Sequence, residues 1–271
     1  MPVSEGKLRL GGMALRNGLL VHGPTHWAAA VRTRTGAVVA ASGPKPRWQA
    51  ADRLLGVRGL ARLAEAFAVI PLVKRALPQA KLPFESPAVL GVATGASLTG
   101  AMLRRRAPTA AGEAGAAVIS LVPALFALRG GELAAYHGVE HKAIAAYEAP
   151  EDADAAAAAK EHDRCGSHLV TPMLAANLAG TLLLRRVLER PGPLAGAGVA
   201  LASTAAAVEV FAWSERHAGS RVARALKRPG FELQRAIGTR EPDERQLEVG
   251  RAALAEILRV EAQMGSSPQD A

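Results

Sequence analysis

The chain has 271 residues, of which 49% are hydrophobic but only 4% aromatic, and its formal net charge is +9. A water-soluble core of this size needs larger side chains to fill its volume, whereas small residues suit close helix–helix contact in a bilayer. So few aromatic residues exclude a base-stacking platform, and the positive charge therefore favours an anionic membrane surface over nucleic acid. Membrane lipids are the predicted partners, and no nucleic acid is expected.

Residues 1–52 are predicted to form an N-terminal β-rich unit. The stretch AAAVRTRTGAVVAASG (28–43) alternates apolar and basic residues around Thr35 and Gly36, a pattern typical of a β-hairpin. Residues 53–85 are predicted as an amphipathic helical region, because apolar residues recur at helical spacing from Leu54 to Phe67. Pro71 should kink or end this helix, which would lie along a membrane surface or pack in a soluble domain.

Residues 86–214 contain four apolar segments and are predicted to be embedded in the membrane. The segments 86–103, 167–184 and 191–214 have 18 residues or more, and their only charged residue is Glu209. About twenty apolar residues span a bilayer, so these three qualify. The remaining segment, 114–128, is marginal in length. The alternative is an Ala-rich buried bundle of a soluble protein.

The charge distribution leaves two topologies open. Four crossings would place both termini and the loop 129–166 on one side, together with all but six of the 33 Lys and Arg. That side is then predicted to be cytoplasmic. The six exceptions crowd into the two short opposite turns, where cations are unfavourable: Arg104, Arg105, Arg106, Arg185, Arg186 and Arg190. Re-entrant hairpins whose arginines reach the interface would remove this conflict.

Residues 215–271 are predicted to form cytosolic helices. A basic helix should stop at Pro229 and Gly230, and a second helix should begin near Pro242. The predicted fold class is therefore mostly α, with multi-pass or re-entrant membrane helices, a small N-terminal β unit and a C-terminal helical region.

The stretch YHGVEHKAIAAYE (136–148) carries the most specific chemical pattern. His137 and His141 are four residues apart, so on a helix they share a face and can bind one divalent metal. Glu140 beside them completes H-x-x-E-H, the inverted zinc-hydrolase pattern, and could bind the metal or act as a base. Zinc is the metal that this combination favours.

His162 and Cys165, in HDRCG, are the predicted completion of the metal site. The Ala-rich segment 150–161 is expected to fold back as a helical arm and bring them to His137 and His141. With all four as ligands the metal would be closed and structural. With one position open to water, Glu140 would be the general base of a hydrolase. Glu209 is a rival ligand, because a carboxylate in an apolar segment is costly unless it is paired.

Several further motifs accompany these two: GGMALRNG (11–18), VRGLARLAEAF (57–67), PGFELQ (229–234) and TREPDERQLEV (239–249). With them, the chain from about residue 10 to 260 resembles the YqhQ-like family (DUF1385), described as predicted metal-dependent membrane proteins of unknown function. The resemblance implies a bacterial inner-membrane protein with a cytosol-facing polar site. Carried over by motif, the site residues are His137, Glu140, His141, His162 and Cys165. Relatives read GGQAVIEGV, so Met13 and Arg16 replace a Gln and a Glu.

Two functions follow from these observations as hypotheses. The first is a metal-dependent hydrolase at the cytoplasmic membrane face, with Glu140 as its catalytic residue and His137, His141, His162 and Cys165 as metal ligands. The alternative is a non-enzymatic membrane assembly or interaction factor whose metal is structural. A soluble Ala-rich domain without metal is a third reading.

Overall fold

The computed structural model describes residues 7–48, 56–129, 131–149, 154–188 and 192–265. These form a mostly helical protein with one small antiparallel sheet near the N-terminus, as the composition and patterning predicted. The predicted helix residue Leu54, the boundary between residues 52 and 53, and Arg190 lie outside the described residues.

The sheet is a meander of four strands, β1 (Gly11–Leu15), β2 (Gly18–His22), β3 (His26–Arg32) and β4 (Val38–Pro44), in the order β1-β2-β3-β4. The predicted hairpin is confirmed, because β3 and β4 pair across a tight turn. Gly36 lies in this turn with a φ of +90°, a backbone conformation that favours glycine.

Helix α1 (Arg58–Ala76) covers one face of the sheet. Leu20 from β2 packs there with Val69 and Val73 from α1, and all three are fully buried. The helix continues through Pro71, so this proline does not end it. The predicted amphipathic helix therefore exists in its described part, and its apolar stripe binds the sheet.

The opposite face of the sheet packs against α5 (Glu132–Glu148) and α9 (Glu244–Gly265). Leu19, Val139 and Ile257 meet in this core, one from each element, and none of them is exposed. Because side chains alternate between the faces of a strand, neighbouring residues of β2 serve two different cores. The beginning, middle and end of the chain thus share one folded unit, and α5 is held inside it.

Five helices form a bundle beside this unit: α2 (Pro87–Arg106), α3 (Ala110–Ile119), α4 (Val122–Leu128), α6 (Val170–Val187) and α7 (Pro193–Arg216). Helix α2 lies along α3 and α4, α6 lies along α7, and α3 joins the two pairs through α6. The turn between α3 and α4 interrupts what would otherwise be one helix.

Among the described residues, three helical stretches are long and apolar enough to cross a membrane: Ala110–Leu128, Gly166–Val187 and Leu194–Arg216. Only 6% to 17% of an apolar 18-residue part of each stretch is buried, so most of their apolar surface faces outwards. Helix α2, which contains most of the predicted segment 86–103, is not among the three, because its glycines, serine and threonines lower its hydropathy. The predicted segment 114–128, which was marginal in length, lies within the longer span Ala110–Leu128 that also includes the first residues of α3.

Glu113 is buried where α2, α3 and α6 meet, and it pairs with two of the six arginines in the short turns. Arg104 Nε lies 3.1 Å from its carboxylate, and Arg185 contacts the other carboxylate oxygen. Part of the unfavourable positive charge is therefore neutralised within the bundle, which weakens the charge conflict without choosing between the two topologies.

Helix α8 (Arg221–Leu233) corrects the prediction that Pro229 and Gly230 stop the basic helix. The helix runs through both residues and passes into a π-helical turn. Contacts with the 3-10 turn before α6 (Gly166–Leu169) explain this, because the Ser167 hydroxyl donates to the Gly230 carbonyl at 3.1 Å. A Cβ at position 230 would come within 2.5 Å of the His168 ring, so the glycine serves close packing instead of termination. Tertiary packing has overridden the local stop signal.

Candidate metal centre

The motif YHGVEHK lies on α5, and the packing of α5 decides which side chains face the site. Val139 is fully buried between the sheet and α9. Gly138 contacts the backbone of Arg240, where an added Cβ would lie 2.3 Å from the carbonyl oxygen. The Arg240 amide also donates to the Ala134 carbonyl at 2.9 Å. With these two residues packed away, His137, Glu140 and His141 are directed towards a cavity.

His137, His141 and Cys165 form a compact group of possible metal ligands. One ligand atom from each lies within 4.8 Å of the other two. Cys165 Sγ lies 3.3 Å from His137 Nε2. Tetrahedral zinc with bonds of 2.0–2.3 Å sets its ligand atoms about 3.5 Å apart, so this spacing suits one ion.

Carbonyl oxygens fix the orientation of both imidazole rings. His137 Nδ1 donates to the Gly238 carbonyl at 2.8 Å, and His141 Nδ1 donates to the Lys160 carbonyl at 2.6 Å. A carbonyl can only accept, so the proton of each neutral ring must be on Nδ1 and the lone pair on Nε2. Burial lowers the pKa of His141, which favours the neutral ring. Its buried Nε2 has no hydrogen-bond partner among the described residues.

The segment after α5 folds back, as predicted, but residues 154–161 form turns instead of a helical arm. Buried Lys142 secures it by donating to the carbonyls of Ala156 at 2.9 Å and Ala158 at 2.6 Å. Residues 150–153 lie outside the described part of the chain. Backbone carbonyls therefore bind this arm to α5, and one of them orients His141.

His162 lies beside the group without joining it. Its ring centroid is 5.6 Å from that of His141, and its Nδ1 accepts the Arg164 amide at 3.2 Å. Its Nε2 faces the Glu148 carboxylate at 3.7 Å. Both ring nitrogens are thus directed at other groups, and the structure places His162 next to the group of three.

Glu140 lies against the edge strand of the sheet. A Cβ at Gly12 would lie 2.7–2.8 Å from its side chain, so a larger residue at position 12 would push the Glu140 side chain away. Burial raises the pKa of Glu140 above its usual value, while His137, His162 and the Ala14 amide act in the opposite direction. A carboxylate with a raised pKa is a better base near neutral pH.

Glu209, the rival ligand, is engaged elsewhere. Its carboxylate accepts two hydrogen bonds from Arg58, at 2.9 and 2.5 Å, and so joins α7 to α1. It is not in the group of three. The pairing required of a carboxylate in an apolar helix is therefore supplied by an arginine.

Two polar residues of the site were missed from the sequence, Gln234 and His168. Gln234 is fully buried, accepts the His162 amide at 2.8 Å and donates to the Ser167 hydroxyl at 2.8 Å. His168 Nδ1 donates to the Lys227 carbonyl at 2.9 Å. Gln234 ends the motif PGFELQ, which was the available signal, and His168 follows Cys165 at the same three-residue spacing that separates His162 from Cys165.

A cavity of about 430 Å³ opens beside the group. Its polar end contains His137, Glu140, His141, Cys165 and Ser167. Its apolar wall is formed by residues of β1, α4 and the 3-10 turn before α2: Leu10, Met13, Pro83, Phe84, Ala124, Ala127 and Leu128. Met13 is part of this wall.

Comparison with known proteins gives one match. Residues 131–260 match a family model described as "Protein of unknown function (DUF1385)". The matched segment begins just before α5 and ends within α9, so it includes His137, His141, His162, Cys165 and Gln234. No curated protein and no solved structure matches the chain.

Proposed function

Because the chain belongs, through residues 131–260, to the DUF1385 family, whose description assigns no reaction, we propose a function from the site itself. We infer that the protein is a membrane-bound, metal-dependent hydrolase. The convergence of His137, His141 and Cys165 at the polar end of a cavity, with Glu140 beside them, is the observation that carries this proposal.

The residues fit a divalent metal, with zinc as the best candidate. Each imidazole donates Nδ1–H to a carbonyl and directs Nε2 to the group, which is the arrangement of metal-bound histidines. The unpaired, buried Nε2 of His141 gains a partner if an ion is bound. A thiolate with two imidazoles favours zinc over magnesium or calcium. Three protein ligands also leave a fourth tetrahedral position, as in catalytic zinc sites.

A bound metal would supply Lewis-acid polarisation of the scissile carbonyl and a lowered pKa for water. Glu140 then takes a proton from the attacking water and passes it to the leaving group. His137 and His141 remain neutral ligands, because their protons stay on the carbonyl-bound Nδ1. His162, held between the Arg164 amide and Glu148, borders the same cavity and is a positioning residue in this proposal.

Metal analysis of the detergent-purified protein is the first test. We expect about one zinc per chain, and a loss of that metal in His137→Ala, because two remaining ligands hold zinc poorly. Absence of metal from the wild-type protein under zinc-replete conditions would refute the proposal.

A non-enzymatic membrane factor with a structural metal is the second candidate. It is favoured by the way in which the group connects α5 to the start of α6 and, through Gly238, to the π-helical turn. Glu140→Gln separates the candidates. If the protein is a hydrolase, this variant keeps its fold and metal, but its rate of ester or amide hydrolysis falls by about 10²–10⁴-fold. A structural site predicts no loss of function from this change.

A further inference from the structure

The cavity beside the metal centre differs sharply between its two ends. Its polar end is the ligand group with Glu140, whereas the wall contributed by α4 consists of Ala124, Ala127 and Leu128. Phe84 continues this wall, and 56% of its surface is exposed at the rim. A ligand that fits both ends must therefore be amphiphilic, with its reacting bond at the polar end.

The same helix that walls the cavity belongs to a candidate membrane span. Helix α4 is the second half of Ala110–Leu128, and only 17% of an apolar 18-residue part of that span is buried. One face of α4 lines the cavity while the span as a whole faces outwards. An apolar chain that lies against the exposed surface of this span would therefore be close to the cavity wall and to Phe84.

The charges around the cavity are compensated. Arg164, which lines it, is paired with the Glu148 carboxylate, and both side chains are 12% exposed. A divalent ion on the group would be balanced by the Cys165 thiolate and the Glu140 carboxylate. The described lining thus offers no unpaired cation to a phosphate, which normally needs arginine or lysine partners. An uncharged head group fits better.

From the apolar wall, its continuity with the span and the compensated charges, we propose that the substrate is a membrane-resident acyl ester or amide with an uncharged head group. This rests on the proposed hydrolase function and names its substrate class. The acyl chain lies along α4, and its carbonyl carbon lies at the ligand group. Water oxygen bonds to that carbon, the C–O or C–N bond breaks, and Glu140 moves the water proton to the leaving oxygen or nitrogen. The products are a fatty acid and an alcohol or amine.

Transfer energetics favour this substrate over a water-soluble one. An acyl chain that moves from the bilayer to the α4 wall exchanges one apolar environment for another at little cost. A polar substrate of similar size would bury hydrogen-bonding groups against Ala124, Ala127 and Leu128, which offer no side-chain partners.

Photo-crosslinking in phosphatidylcholine nanodiscs tests the proposal without an activity assay. The probe is a diacylglycerol with a diazirine in one acyl chain, and crosslinked peptides are mapped by mass spectrometry. We expect label on α4 and on the β1 segment around Met13. Ala127→Trp should fill the wall and reduce cavity label by about tenfold. Val118→Trp, at a 62% exposed position of the same span, should leave it unchanged.

Each outcome of this experiment decides something. Label confined to exposed faces of α6 and α7 in the wild-type protein would overturn the acyl-chain site, whatever the variants do. Equal cavity labelling by a phosphatidic acid carrying the same diazirine chain would overturn the uncharged head group. Metal analysis of the same samples keeps the two proposals apart: cavity label without metal supports the acyl-chain site and refutes the hydrolase. Metal with label only outside the cavity overturns the acyl-chain site, and Glu140→Gln then separates the hydrolase from a structural metal.

Discussion

The close contact between Gly138 and the backbone of Arg240 predicts a specific cost for Gly138→Ala. The new Cβ would lie 2.3 Å from the Arg240 carbonyl oxygen, so the backbone must retreat by about 1 Å to reach ordinary contact. The obstacle is main chain, which cannot rotate away as a side chain can. The retreat would pull residues 238–240 from α5 and lengthen the bond between the Gly238 carbonyl and His137.

The magnitude follows from two opposing effects. Overpacking of this kind costs about 1–3 kcal/mol. Replacing a helical glycine with alanine returns about 1 kcal/mol of helix propensity. Gly138→Ala should therefore destabilise the protein by about 0–2 kcal/mol in net terms. Gly95→Ala is the matched control, since Gly95 lies in α2 and its added Cβ meets no described atom within 4 Å. That variant should gain about 1 kcal/mol.

Thermal unfolding of the two variants in the same detergent measures the difference directly. A gap of about 1–3 kcal/mol corresponds to about 2–12 °C in Tm for a protein of this size. Zinc affinity is the second readout, and only Gly138→Ala should lose affinity, by about 10–100-fold, because His137 loses its orienting carbonyl. Equal melting temperatures for the two variants would show that the contact with Arg240 does not constrain α5.

Three further changes test other parts of the fold. Burial lowers the pKa of His22 to about 4 from 6.5, so the unfolded chain binds the extra proton and stability falls as the pH drops from about 6.5 to 4. His22→Phe should reduce that acid loss by about 3 kcal/mol, and an unchanged pH dependence of unfolding would contradict this. Lys142→Met should lower the free energy of unfolding by about 1–3 kcal/mol and speed limited proteolysis at residues 154–161. Lys142→Arg should remain resistant to that proteolysis. Glu113→Gln should lower the free energy of unfolding in detergent by about 1–3 kcal/mol. The loss is no larger because Arg104 and Arg185 are partly exposed to solvent. The double variant with Arg185→Gln should recover part of the loss, and a stability equal to that of the single variant would argue against the pairing.

Local chemistry made parts of the fold predictable. Thr35 and Gly36 between alternating apolar residues identified the hairpin, and the left-handed φ of Gly36 is the reason. The spacing of His137 and His141 placed both rings on one face of α5, because helix geometry alone decides this. The HDRCG motif brought Cys165 to the same group, and the fold-back of the chain in between was also expected.

Long-range packing determined what was missed. Pro229 looks like a helix stop until His168 and Ser167 pack against Gly230, and nothing near Pro229 in the sequence reveals those neighbours. Gln234 reaches the site only because α8 continues. Helix α2 is uncharged over most of its length but is not among the three apolar spans, since membrane compatibility depends on the summed hydropathy and not on the absence of charge. His162 was predicted as a ligand from its residue type, but its direction depends on the Arg164 amide.

The carbonyls that orient the two imidazoles have a consequence for the order of synthesis. His137 and His141 emerge from the ribosome almost together, but their partners lie 101 and 19 residues away along the chain. Gly238 is made only after α6, α7 and α8, so a nascent chain that ends just after α6 still lacks one orienting contact. Ordering such distant segments is slow and comes late in folding. Metal loading would therefore mark chains that have been completed and whose C-terminal region has returned to α5.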